Sequence, residues 1–230
     1  MTNGPERVMV IVAHPDDPEF TCGGTVAKWV AEGTEVTYVV CTNGDKGSSD
    51  PAMTSEKLAV IREKEQQAAA NVLGVARVVF LGYPDGATED TYEFRGKLVR
   101  LIRQYRPDLV VTHDNYRRSI LHRDHRVVGT VALDAVFPFS RDLLHYPEHI
   151  AGGLQSHKVY EVYLAGSDSP DLWIDTSETI DLKIAALRCH VTQVGSFEAL
   201  ADRIKKMAAS IGSPQNIPYA EAFRRLELRR

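Results

Sequence analysis

The sequence predicts a three-layer αβα domain, Rossmann-like, built on a mostly parallel sheet. Three observations carry that expectation. Short unbroken apolar runs rich in β-branched residues recur from Val8–Ala13 (VMVIVA) to Asp108–Thr112 (DLVVT). A longer segment of helical composition follows each run, and the links between them are short. A strand buried on both faces reads as a continuous apolar run, and strand–helix alternation with short links is the pattern of a helix-covered parallel sheet.

The elements follow in order. Val8–Ala13 is the first expected strand, and a helix is expected over Gly23–Glu32, stopped by Gly33. Glu35–Cys41 (EVTYVVC) is a second strand leading into the Gly/Asn/Ser-rich loop Thr42–Ser49. Thr54–Leu73 is the longest helix, made of good helix formers and closed by Gly74. Arg77–Leu81 (RVVFL) is a third strand, followed by the turn Gly82-Tyr83-Pro84-Asp85-Gly86. Tyr92–Tyr105 is helical because Leu98, Leu101, Ile102 and Tyr105 recur at i, i+3, i+4 and i+7. Beyond the fourth strand, Asp108–Thr112, another helix is expected over Asp124–Val136.

The second half is less regular. Pro138–Ser156 reads as a surface loop or lid. Lys158–Leu164 and Leu172–Ile174 are further strands, and Ile180–His190 and Phe197–Ile211 further helices. The tail from about Ser213 carries no assignment. With no repeat and no low-complexity segment, residues 1–230 are expected to form one domain.

Composition narrows the function classes. Twenty-seven Lys and Arg against 31 Asp and Glu give a net charge of -4, which argues against a nucleic-acid surface or a basic membrane-docking face. A hydrophobic fraction of 43% excludes a disordered chain. Cys22, Cys41 and Cys189 are scattered with no CxxC pair, so neither a disulfide framework nor a thiolate zinc site is suggested. No stretch approaches the roughly 20 apolar residues of a membrane span. The run Val8–Ala13 is too short for a secretory leader, and a cytoplasmic location is expected.

Ligands of open α/β sheets bind beyond the carboxyl ends of the strands, and the reactive residues cluster there. The first strand is followed by His14-Pro15-Asp16-Asp17-Pro18-Glu19, the second by Thr42-Asn43-Gly44-Asp45 and the third by Tyr83-Pro84-Asp85. The fourth is followed by His113, Asp114 and then His122-Arg123-Asp124-His125. His14 and Asp17 lie three apart in a segment stiffened by Pro15 and Pro18, so both can face one centre, with His125 as a third ligand. Catalytic zinc sites use three such protein ligands and leave a position for water. The competing reading is that His14 and Asp17 only cap the first helix. If Asp17 holds a metal, Asp16 points elsewhere and can take and return a proton as general base and acid; otherwise it is a solvated turn residue. His113 can support such a site from behind. His145, His149 and His157 fall in or beside the irregular stretch, where exposure is the default.

These residues also resemble a known family. Ala13-His14-Pro15-Asp16-Asp17 with Gly23-Gly24-Thr25 resembles the opening motif of the LmbE/PIG-L-like metal-dependent de-N-acetylases, which act on N-acetylglucosaminyl conjugates. The likeness continues through Thr42–Gly47, Arg62 with Glu65, Leu73-Gly74, Leu81–Gly86, Arg106-Pro107-Asp108, His122–His125 and His190 to Gln193, nearly the whole of residues 8–193. It implies an LmbE-like fold and a zinc-dependent hydrolase, ferrous iron being the other candidate ion. Its substrate would be a small N-acetylated amino sugar or conjugate, cleaved to free amine and acetate.

By the resemblance, His14, Asp17 and His125 are the metal ligands and Asp16 the general base. His122 would stabilise the developing oxyanion, and Asp124 would orient His122 and favour its charged form. Arg62, Asp85 and His190 match substrate-contacting positions. Family members are often hexamers or trimers, so a homo-oligomer is also implied. The chain departs from the pattern at Pro18, where many members carry an acidic residue, and at Ile120, where some carry tyrosine.

Two other readings compete. A non-haem iron oxygenase uses the same two-His, one-carboxylate set, but such enzymes are expected on an all-β scaffold. A non-catalytic Rossmann-like ligand-binding module would want GxGxxG after the first strand. This chain has His-Pro-Asp-Asp there, whose carboxylates repel a pyrophosphate.

Overall fold

The computed structural model describes residues 4–228. Seven strands form one sheet in the order β3-β2-β1-β4-β5-β7-β6. These are β1 (Arg7–Val12), β2 (Glu35–Thr42), β3 (Arg77–Tyr83), β4 (Leu109–His113), β5 (Glu161–Ala165), β6 (Leu172–Asp175) and β7 (Ala220–Glu227). Strands β1 to β5 run parallel to their neighbours, and β7 runs antiparallel to both β5 and β6. The mostly parallel sheet expected from the alternation is therefore present.

The period of two along β1 explains the layering. Val8, Val10 and Val12 face one side, where α1 (Asp17–Ala31) and α2 (Ser55–Leu73) lie. Met9, Ile11 and Ala13 face the other, against α3 (Tyr92–Tyr105) and α4 (Arg123–Asp134). Both faces of the strand are buried, so its residues are apolar without alternation. Beyond α5 (Pro147–Ala151), a satellite core joins α6 (Ile180–Leu187), α7 (Val191–Val194) and α8 (Phe197–Gly212) through Ile180, Ile184, Leu187, Leu200 and Ile204.

Three regions differ from expectation. The first helix begins at Asp17, not Gly23, and is kinked at Cys22 (φ -144°, ψ 20°). The apolar pattern from Gly23 onward marks only its second segment. That kink leaves the amides of Gly24 and Thr25 outside the helical ladder, and Glu221 of β7 accepts both, at 2.9 and 2.8 Å. The tail from Ser213 is not loose, since Ala220–Glu227 is inserted in the sheet between β5 and β6.

The stretch 138–156 is not a free lid either. Arg103, buried at 1% exposure, donates to the carbonyls of Phe139, Ser140, Asp142, His145 and Tyr146 and winds the segment around its guanidinium. His149 and His157, expected to be exposed, are buried; His157 Nε2 lies 2.7 Å from the Pro107 carbonyl.

Candidate active site

The chain turns sharply after β1. Asp16 sits just before α1 with φ 92°, ψ -28°, a left-handed conformation that is uncommon for a side chain other than glycine and is found chiefly at functional sites. Its side chain makes no capping bond to the helix. Asp17 turns back instead, and its Oδ2 accepts the His14 amide at 2.7 Å. The helix-capping explanation of this motif therefore fails for both carboxylates.

His14 and Asp17 of this turn meet His125, which lies 111 residues beyond His14 in the chain. His14 Nδ1 lies 3.2 Å from His125 Nε2 and 3.3 Å from Asp17 Oδ2, and His125 Nε2 lies 3.3 Å from Asp17 Oδ1. A tetrahedral ion with bonds of about 2.0–2.1 Å has edges of about 3.3–3.4 Å. The His14 Nδ1–His125 Nε2 separation matches one such edge, and Asp17 offers each of these nitrogens a different oxygen at 3.3 Å, so the three side chains converge closely enough to share a divalent cation. Other sets overlap them: His122 joins His14 and His125, and His113 joins Asp17 and His125, each with ligand atoms within 4.8 Å of one another. The chain thus carries a His/Asp cluster able to hold a metal ion.

The far nitrogen of His14 is held by two more carboxylates, Asp85 Oδ1 at 3.1 Å and Asp124 Oδ2 at 3.2 Å. A carboxylate on the distal nitrogen fixes the ring and raises its basicity towards a metal. Asp124 is itself locked, its oxygens accepting the Gly86 amide at 2.7 Å and the Thr88 hydroxyl at 2.6 Å. Burial alone would lower the pKa of His14, but Asp124, Asp17 and Asp85 outweigh it and lift the ring to about 11. Three carboxylates around one imidazole demand positive charge, which a proton on His14 supplies and a divalent cation supplies better.

Asp124 does not orient His122 as expected. Its carboxylate goes to His14, and its contact with His122 is through the backbone amide, which donates to His122 Nδ1 at 3.3 Å. Burial and the neighbouring rings of His14 and His125 lower the pKa of His122, so the charged form is not favoured. The amide bond places the proton of the neutral ring on Nε2. That nitrogen is 4.0 Å from Asp85 Oδ1, on a side chain nearly half exposed to the cleft.

Two expected substrate contacts lie elsewhere. Arg62 is buried at 3% exposure behind the turn, donating to the carbonyls of Pro15 at 2.5 Å and Gly44 at 2.9 Å and to Asp16 Oδ2 at 3.2 Å. His190 is fully buried, with Nε2 3.1 Å from Glu19 Oε2. Both are enclosed by protein. Asp85 stands beside His14 and His122.

Asp16 adjoins the cluster with its carboxyl pushed up to about 7 by burial and by the Asp17 carboxylate, against the pull of Arg62. His113, buried behind the cluster, accepts the Ala13 amide at 3.1 Å and stacks on His125 with ring centres 4.1 Å apart. Motif reading passed over Gln66, which is fully buried and accepts the Asp16 amide at 2.8 Å. Its signal was its place one turn after Arg62 on the same helix face.

Comparison with known proteins decides the family. Residues 9–136 match the family model described as PIG-L: GlcNAc-PI de-N-acetylase. This chain belongs to that family. It is 30% identical over 224 residues to a diacetylchitobiose deacetylase of Thermococcus kodakarensis, covering 96% of this chain and 84% of that one. It is 31% identical to the 1D-myo-inositol 2-acetamido-2-deoxy-alpha-D-glucopyranoside deacetylase of Mycobacteroides abscessus, covering 89% of each. Among solved structures it resembles the N,N'-diacetylchitobiose deacetylase of Pyrococcus horikoshii, with TM-score 0.92, 30% identity and coverage of 97% and 84%. A 4-carboxy-2-hydroxymuconate hydratase from Pseudomonas putida shares the fold at TM-score 0.82 and 22% identity, so the PIG-L fold alone does not name a reaction.

Proposed function

We propose that this protein is a metal-dependent N-deacetylase that frees acetate and an amine from an N-acetylglucosamine-type sugar or sugar conjugate. The observation that carries this reading is the convergence of His14, Asp17 and His125, in contact at 3.2–3.3 Å with the Asp16 carboxylate beside them. The PIG-L relatives named for diacetylchitobiose and for an N-acetylated glucosaminyl inositol support the substrate class.

His14, Asp17 and His125 would hold the ion, zinc by preference and ferrous iron as the other ion suited to this donor set. When bound, a divalent cation supplies Lewis-acid polarisation and acidifies water at neutral pH. Asp16 takes the proton of the attacking water and returns it to the departing nitrogen, so the amine leaves neutral. Arg62 steadies that carboxylate from behind. His122 donates Nε2–H to the acyl oxygen as negative charge gathers there, and Asp85 accepts from a sugar hydroxyl at the cleft wall. Asp124 holds the His14 ring in register. The cytoplasm is the compartment this reading assigns, in keeping with the free Cys22, Cys41 and Cys189.

Metal analysis of the purified protein, with amine release measured over a panel of N-acetylated sugars, tests the reading. Asp16→Ala is expected to keep its metal and lose about 10²–10⁴-fold in turnover. Full activity in that variant would refute the assignment.

A further inference from the structure

We infer that Gln66, with Glu19 and His190 behind it, is a positioning chain for the Asp16 turn; the inference rests on the deacetylase reading above. The links behind Gln66 are buried, and the one to Asp16 is partly so. The Asp16 amide donates to Gln66 Oε1 at 2.8 Å, and Gln66 Nε2 donates to both Glu19 oxygens at 2.9 and 3.1 Å. Glu19 Oε2 then meets His190 Nε2 at 3.1 Å. Glu19, Gln66 and His190 have no exposed surface. The chemistry fixes the Gln66 amide: its oxygen must face an N–H and its nitrogen a carboxylate.

The chain matters because of the backbone it holds. A left-handed aspartate is strained and persists only where its surroundings over-determine it. Arg62 grips the carbonyl side of the turn at Pro15, and Gln66 grips the amide side at Asp16. Glu19 reaches Gln66 across the gap between α1 and α2, and His190, just before α7, meets Glu19 from the other side. Neither Gln66 nor Glu19 is exposed, so their effect on the reaction runs through the direction of the Asp16 carboxylate.

Gln66→Met keeps the volume and removes all three hydrogen bonds. Its expected result is unchanged metal content, KM within about twofold, and kcat down about 10- to 100-fold, the scale of a misplaced catalytic group. The loss should shrink on an N-trifluoroacetyl substrate, whose activated carbonyl asks less of a general base. Gln67→Met, on the exposed neighbour, should leave kcat unchanged.

A complementary pair guards against simple misfolding. Gln66→Glu sets two carboxylates face to face and should lower kcat; adding Glu19→Gln restores one donor and one acceptor at the same junction and should recover most of it. A Gln66→Met enzyme with wild-type kcat, a loss confined to KM, or a double variant no better than Gln66→Glu would each overturn the inference. Hydrogen exchange of residues 13–20 provides a readout without substrate, and faster exchange in Gln66→Met is expected. Unchanged exchange counts against the chain. A wild-type protein that frees no acetate from any sugar counts instead against the deacetylase reading.

Discussion

The two flanks of the sheet use their polar residues differently. On the parallel side, β1 to β4 all end at one edge, and the segments after them bring His14, Asp16, Asp17, Asp85, His113 and His125 together. On the antiparallel side, the alternation along β7 puts Glu221 on the same buried face as Phe223, against α1. Glu221 accepts two amides of the kinked α1 and binds the Lys183 ammonium at 2.6 Å, which also donates to the Phe20 carbonyl at 2.9 Å. One flank gathers ionisable groups around one centre; the other pairs its buried carboxylate with an ammonium and two amides. A site needs unsatisfied valence held by something rigid, and the two flanks divide those tasks.

That division can be broken by experiment. The largest effect should come from the parallel side. Chelation is expected to abolish amine release with the circular dichroism spectrum unchanged, and added divalent cation should restore it; Asp17→Ala should lose activity beyond rescue. Unfolding on chelation would mean that the cluster is structural. Next, His122→Phe should lower kcat by about 10²–10³-fold with metal retained, the scale of one oxyanion donor. A change in KM alone would assign His122 to binding.

The smallest effect on turnover belongs to the antiparallel side. Glu221→Leu strands a buried ammonium and two amides, and should destabilise the fold by about 3–5 kcal/mol in urea unfolding. Replacing Lys183 by Met in the same chain should recover part of that. If Glu221→Leu instead cut kcat at unchanged stability, the flank would be part of the site and the contrast would fall.

Much of this was legible in the sequence, for a physical reason. Strands buried on both faces announce themselves, so β1 to β4 fall within two residues of expectation, as do α2 and α3. His14, Asp17 and His125 were legible because each follows a recognisable strand. The β7 segment AEAFRRLE was not, because its strand pattern is interrupted by Arg224-Arg225 at the exposed end. The depth of Arg62 and His190 was equally hidden. A charged residue near a motif looks the same in sequence whether it faces the ligand or braces the residue that does. Arg103 shows the same limit, since five carbonyl acceptors from a segment some 40 residues away leave no local trace.

The insertion of β7 also bears on how the chain is made. The Gly24 amide in α1 waits for a carboxylate that lies 197 positions later. At about 5–20 residues per second, synthesis puts roughly 10–40 s between the two. Throughout that interval the first helix lacks its anchor, and once β5 is made its border stays unzipped until β7 follows, so the nascent protein is expected to pass through a stage with an adhesive flank. Ribosome-bound chains halted before residue 220 should therefore recruit chaperones that full-length chains ignore.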